Sequence, residues 1–280
     1  MKLRNAFAPF TDLRLSIQAA FYPTLRTIYR TPRILLSPGK LSRVFMSHVW
    51  VTFGNSVDEG GRETKQGLLP GNAVGVVLDV GAGEAPRSRV SECHDAGRSP
   101  YFIGHGHTTR YLDRAKVTKY IALEPNTLMH SEIRRVAGEA GFKEDDNTLQ
   151  IIGQGAEDIP QIVSALGEPY SVDTVVAILT LCSIPKPENV IKEFIDIVLK
   201  PGGQLLFYEH VLSPRKDVAW WQRLWTPIWR TAFDGCCLDR PTHLWIKGLD
   251  IWETTDFWGK PGEDAENIWW HQTGRCVKKA

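Results

Sequence analysis

Two acids and a glycine turn stand where a nucleoside-bearing ligand would need them. Asp79-x-Gly81-x-Gly83 closes the apolar run Val76-Val77-Leu78-Asp79-Val80, and Glu124 closes a second run, Tyr120-Ile121-Ala122-Leu123. Glycines at a strand end let backbone amides approach a ligand, and the following helix N-terminus adds partial positive charge. A carboxylate ending the neighbouring strand can accept both hydroxyls of a ribose. A second group has residue types that move protons. Glu209 and His210 end the apolar run Gln204–Val211, and Asp234 follows 24 positions after His210. Histidine and carboxylates are the usual general bases, and open α/β sheets bind ligands at the carboxyl edge where such residues emerge. Asp234-Gly235 also reads as a simple turn.

The spacing within the first group is anomalous. Gly83 and Glu124 lie 41 positions apart, whereas one helix and one strand need about 20. Removing Glu84–Gly104 restores a separation of 20, and the join then reads Gly81-Ala82-Gly83-His105-Gly106. That brings Gly106 into the turn. The excised segment is polar, with two prolines, three arginines and no periodicity. We read it as an in-frame intron retained in the gene model; present in the mature chain, it is expected to displace the ligand-facing amides and weaken binding. The competing reading is a genuine surface loop, since lengthening a loop costs only about 0.6 kcal/mol per doubling. Cys93, His94, His105 and His107 straddle this segment without the paired spacing of metal ligands, and no metal is read from them.

Positioning these residues requires alternating strands and helices. Val74–Val80, Tyr120–Glu124, Leu149–Gly153, Asp173–Leu181 and Gln204–Val211 read as strands. Thr108–Ala115, Asn126–Ala140 and Glu188–Leu199 read as the helices between them. The alternation predicts an α/β fold with a parallel sheet and helices on both faces. Pro70-Gly71 divides the chain into an N-terminal helical segment, 1–70, and a main domain, 71–280. The stretch 212–280 of that domain is crowded with tryptophan and is read as a substrate region.

The 280 residues, 42% hydrophobic and 23% charged, describe an ordinary globular chain with one or two domains. A net charge of +1 gives no global attraction for nucleic acid. The first 50 residues carry eight Lys/Arg against the single acid Asp12. Within them Leu13, Ile17, Ala20, Phe21, Leu25 and Ile28 share one helical face. A basic amphipathic helix fits three roles: a lid over the main domain, a membrane-surface contact through residues 1–50, or an organelle-targeting segment. Five cysteines without a C-x-x-C pair argue for a reducing, intracellular setting, cytoplasmic or membrane-peripheral, with a mitochondrial address left open. Cys236-Cys237 is not read as a redox pair, and no stretch is long enough to span a bilayer.

Downstream order adds to the glycine turn. Gly155-Ala156-Glu157-Asp158-Ile159-Pro160 follows the third strand, Thr180-Leu181-Cys182 ends the fourth, and Leu199-Lys200-Pro201-Gly202-Gly203 precedes the fifth. From about Val74 to Val211 this series resembles the class I S-adenosylmethionine-dependent methyltransferases. The resemblance implies a Rossmann-like sheet with S-adenosylmethionine as cofactor. It also implies that Asp79, Gly81, Gly83 and Gly106 hold the methionine end, Glu124 the ribose, and Ala156, Glu157 and Thr180 the rest of the ligand. The family often has an acid where this chain has Gly155, which leaves Glu157 or Asp158 to substitute. Further on, Glu209-His210-Val211, Trp220-Trp221-Gln222, Pro227-Ile228-Trp229 and Asp234-Gly235-Cys236 resemble the methyltransferase-like family that methylates small-molecule thiols. That likeness implies a small, apolar acceptor, a thiol ahead of a lipid or quinone oxygen, nitrogen or carbon. His210, Glu209 and Asp234 are then the candidate catalytic residues. A pseudoenzyme impaired by residues 84–104 and a nicotinamide-dependent dehydrogenase are the alternatives. Oligomeric state is not legible.

Overall fold

The central strands are apolar on both sides because both sides are covered. In the computed structural model, which describes residues 1–82 and 107–280, β1 (Gly75–Val80), β2 (Val117–Leu123), β3 (Leu149–Ile152), β4 (Val172–Ile178) and β5 (Leu199–His210) are parallel. Leu78, Val80, Ile121, Leu123, Val175, Leu205 and Phe207 face one way, against Ile162 of α6 (Ile159–Leu166) and Ile191, Phe194 and Ile195 of α7 (Pro187–Val198). Their neighbours Val77, Tyr120, Val176, Leu206 and Tyr208 face the other way. There they meet Leu68 and Leu69 of α4 (Arg62–Asn72) and Ile133 and Ala137 of α5 (His130–Glu139). Side chains of successive strand residues point to opposite faces, so a sheet sandwiched between helices shows little polar alternation.

The strand order is β3-β2-β1-β4-β5-β7-β6. It reverses direction between β1 and β4, the switch point outside which open α/β sheets bind ligands. The last two strands, β6 (Trp252–Gly259) and β7 (His271–Lys278), run antiparallel, with β7 inserted between β5 and β6. The fold is therefore α/β with a mixed seven-stranded sheet.

Several expectations need correction. Thr108–Ala115 is not a helix; only a 3-10 turn, His107–Tyr111, forms there. Asp113 stops it, because its side chain accepts from the Ala115 N–H and its carbonyl from Lys116 and Val117. β2 consequently starts at Val117, ahead of the expected Tyr120. Leu199-Lys200-Pro201-Gly202-Gly203 is not a turn before β5 but an irregularity within it. Pairing jumps from Val172–Leu199 to Thr174–Gln204, with Gly202 at φ +73° absorbing the extra residues. Helix α4 continues through Pro70 to Asn72, beyond the expected break.

The N-terminal helices are α1 (Leu3–Ala6), α2 (Ala8–Arg30) and α3 (Pro38–Gly60). Both α2 and α3 pack on α8 (Lys216–Ala232) through Ala20, Val49, Trp229, Phe233 and Leu238. The stripe that α2 buries is Pro9, Ser16, Ala20 and Thr24. Ile17, Phe21 and Leu25, which the sequence places on one helical face with Leu13 and Ala20, are 45 to 49% exposed. Small residues let the helix lie close, and the larger apolar ones are turned outward. No helix among the described residues is long and apolar enough to cross a membrane.

Candidate functional site

At the switch point the glycine turn and the ribose-type acid stand side by side. β1 and β2 pair as far as Val80–Leu123, and the Gly81 N–H continues the contact by donating to the Leu123 carbonyl at 2.8 Å. Gly81 has φ +71°, and a Cβ there would lie 2.5 Å from Thr180 Cγ2 and 2.6 Å from its hydroxyl. Only glycine satisfies both demands. Thr180 is thereby fixed over the turn. Glu124 is buried at the end of β2, where Oε1 accepts from the Asn126 N–H at 2.7 Å. Asp79, also buried, accepts from the Tyr120 hydroxyl at 2.7 Å, and burial together with that carboxylate pushes the phenol pKa well up. Ala156 is buried beside β1, and Glu157 is exposed with its carboxyl folded back over Gly155. A buried carboxylate beside a side-chain-free turn at the switch point fits an adenosyl ligand. Gly83, Gly106 and the segment 84–104 lie outside the described residues, as do Cys93, His94 and His105.

One strand further, the second group of candidates separates. Glu209 is fully buried, and its Oε1 accepts from the backbone N–H groups of Thr180 (2.7 Å) and Leu181 (3.0 Å). Burial pushes its pKa up to about 8. It anchors the turn after β4. His210 is buried with Nε2 3.2 Å from Cys236 Sγ, and Cys236 Sγ is 3.5 Å from Cys182 Sγ. The hydrogen bond with Cys236, then burial, hold the Cys182 thiol well above its usual range. Asp234 points elsewhere. Its N–H donates to Ser42 Oγ on α3, and its carboxylate lies 3.6 Å from Arg43 Nε. Burial raises its pKa.

The backbone explains this divergence. Leu179 (φ 54°) and Asp234 (φ 42°) are both left-handed, unusual for residues with a side chain. The first bends the chain out of β4 so that Cys182 turns inward. The second sends Asp234 toward α3 and Cys236 toward His210. Arg240 fastens the two loops together, donating to the carbonyls of Leu181 (3.0 Å) and Ile184 (2.8 Å), while the Cys237 N–H donates to the Cys182 carbonyl (3.1 Å). Cys182 and Cys236 carry no pattern in the sequence that joins them to each other or to His210. Their meeting with His210 depends on β4 and β5 being neighbours, the two cysteines lying 54 positions apart.

A family model described as a methyltransferase domain matches residues 62–245. The chain belongs to this methyltransferase family. Its sheet and glycine turn are those of the S-adenosylmethionine-dependent class, so the dehydrogenase alternative is set aside. Thiol S-methyltransferase TMT1B of Rattus norvegicus is 39% identical over 109 residues, covering 39% of this chain and 44% of the relative. TMT1B of Homo sapiens is 42% identical over 87 residues, covering 31% and 33%. The chain thus spans less than half the length of these curated relatives. Among solved structures, the YcgJ protein of Bacillus subtilis aligns over 79% of this methyltransferase and 99% of its own chain, with TM-score 0.52 and 12% identity. That likeness concerns the fold alone.

Proposed function

We propose that this methyltransferase transfers a methyl group from S-adenosylmethionine to the sulfur of a small, apolar thiol. The observation that carries the reading is buried His210 at the end of β5, where β4 and Thr180 link it to the Gly81 turn. Bound at that turn, S-adenosylmethionine supplies an electrophilic methyl carbon on a sulfonium. Glu124 accepts the ribose hydroxyls, Gly81 keeps the approach free of side chains, and Thr180 closes over it. Asp79, held by Tyr120, secures the strand end beneath.

A free thiol has a pKa near 8.5, so only a few per cent is thiolate at neutral pH. Buried His210 is the group that takes the thiol proton. The sulfur lone pair forms the new S–C bond, and the electron pair of the broken C–S bond stays on the donor sulfur, giving a thioether, S-adenosylhomocysteine and one proton. Holding two reactants in line is worth about 7–11 kcal/mol of barrier, and packing that excludes water adds to it. The relatives' printed thiol S-methyltransferase names support sulfur over other acceptors.

The test is tritium transfer from methyl-labelled cofactor to matched panels of thiols, phenols, amines and quinols. Label in thioether products is the expected result. Transfer only to oxygen, nitrogen or carbon overturns the thiol assignment, and no transfer with or without residues 84–104 leaves the pseudoenzyme reading. A second reading concerns location. Ile17, Phe21 and Leu25 of α2 and Trp220, Leu224 and Ile228 of α8 are exposed. With the basic residues 1–50 they suit a peripheral membrane surface that supplies apolar acceptors. Co-sedimentation with anionic vesicles checks this reading, and an absence of binding refutes it.

A further inference from the structure

From the meeting of Cys182, His210 and Cys236 we propose a zinc site of two thiolates and one imidazole, with no fourth protein ligand among the described residues. The three ligand atoms lie within 4.8 Å of one another. Cys182 Sγ to Cys236 Sγ is 3.5 Å, and His210 Nε2 to Cys236 Sγ is 3.2 Å. A tetrahedral ion with Zn–S of about 2.3 Å and Zn–N of about 2.0 Å sets edges of roughly 3.8 Å and 3.5 Å between such ligands. Shifts of a few tenths of an ångström bring these two edges to the tetrahedral values, and the third ligand pair lies within 4.8 Å.

The donor set selects the metal. Two soft sulfurs with one imidazole favour zinc over calcium, magnesium or manganese, which take oxygen. Three protein ligands with a vacant position are also the pattern of reactive rather than purely structural zinc. The ligands come from three separate segments, the turn after β4, the end of β5 and the loop after α8. All three are held by contacts that do not involve the ligand atoms. Arg240 and the Cys237 N–H tie the third segment to the first, Glu209 anchors the first, and β7 flanks the second with His210 paired to His271. Support of this kind fixes geometry before the ion arrives.

Binding displaces two thiol protons to solvent, and the two thiolates neutralise the ion, which removes the cost of a net buried charge. The fourth position then takes a thiol acceptor as its thiolate, the acceptor's proton passing to solvent as the S–Zn bond forms, because a coordinating thiol is deprotonated outright. With zinc present, His210 is a ligand, and the metal replaces it as the means of removing the acceptor proton. This role rests on the methyl-transfer reading, whereas occupancy of the site by zinc does not.

The deciding experiment uses the full chain, reduced, without cofactor or acceptor. After equilibration with Zn2+ and removal of free metal, elemental analysis is expected to find one zinc per chain. Co2+ in its place is expected to give the intense visible bands of tetrahedral coordination and a thiolate charge-transfer band. Cys236→Ser and the double variant C182S/C236S lose the metal and these bands, while Cys276→Ser, altered in β7, keeps both. Should the variants misfold, the native chain still answers. Zinc is expected to slow alkylation of Cys236 by iodoacetamide at least tenfold, as read by peptide mass. Sub-stoichiometric zinc with unprotected Cys236, or full retention of metal by the folded double variant, overturns the proposal. Zinc bound without any methyl transfer would instead count against the thiol-methylation reading alone.

Discussion

Placing a methyl group on Gly81 tests the geometry of the cofactor turn directly. Gly81→Ala forces a side chain into φ +71° and drives its Cβ to 2.5 Å from Thr180 Cγ2 and 2.6 Å from Oγ1. The left-handed conformation costs about 1–2 kcal/mol for a residue with a Cβ, and overpacking a tight site adds about 1–3 kcal/mol. The single variant should therefore lose about 2–5 kcal/mol. Thr180→Ala removes both of the nearest atoms and leaves Thr180 Cβ at 3.1 Å. In that background Gly81→Ala should lose little more than the conformational part, giving a coupling of about 1–3 kcal/mol between the sites. Urea denaturation of the four proteins measures this coupling, and calorimetric titration with S-adenosylhomocysteine measures its consequence. Every 1.4 kcal/mol by which the added methyl group disfavours the bound state appears as about a tenfold loss of affinity. A coupling within about 0.5 kcal/mol of zero would refute the contact between the turn and Thr180, and unchanged affinity for the ligand in Gly81→Ala would refute binding at the turn.

Three further outcomes follow from particular residues. Glu209 has its pKa raised from 4.5 to about 8 by burial, so the folded protein holds this proton more tightly than the unfolded chain. Its stabilising effect is complete below about pH 4.5 and is lost as pH rises toward 8. Glu209→Gln keeps an acceptor for Thr180 and Leu181. It should gain stability relative to the native chain from pH 5 to pH 9, by a few kcal/mol, and parallel pH profiles in chemical denaturation would contradict this. Gln222, fully buried, accepts from Ser213 N–H and donates to the carbonyls of Val211 and Ile268. Gln222→Leu leaves those groups unpaired and should cost about 3 kcal/mol or more, and a loss below 1 kcal/mol in the same assay would show that water replaces them. Excising residues 84–104 should tighten S-adenosylhomocysteine binding, and equal affinities by calorimetry would remove the case for impairment.

Strand identity was readable because it depends on composition between two helical layers, and β1, β3 and β4 lie within a few residues of their expected limits. The glycine turn and Glu124 were readable for a related reason, since neighbouring parallel strands bring their ends together regardless of what lies between. Local side-chain chemistry overrode pattern elsewhere. The Asp113 turn cut short the helix expected over Thr108–Ala115, and a bulge absorbed Lys200–Gly203 into β5. The strands β6 and β7 escaped notice because tryptophans and charges mask their alternation; β6 is an edge strand and is exposed along most of its length. The candidate bases were found by type, but type did not fix direction. Left-handed Asp234 turned its carboxylate to Arg43 and delivered its neighbour Cys236 to His210 in its stead.

The loop bearing Cys236 is gripped from two sides, by Arg240 toward the sheet and by Ser42 and Arg43 toward the N-terminal helices. A change in the position of α3 therefore bears on the loop that carries the sulfur beside His210. The N-terminal helices, the turn after β4 and the Cys236 loop are thus fastened to one another beside the buried imidazole.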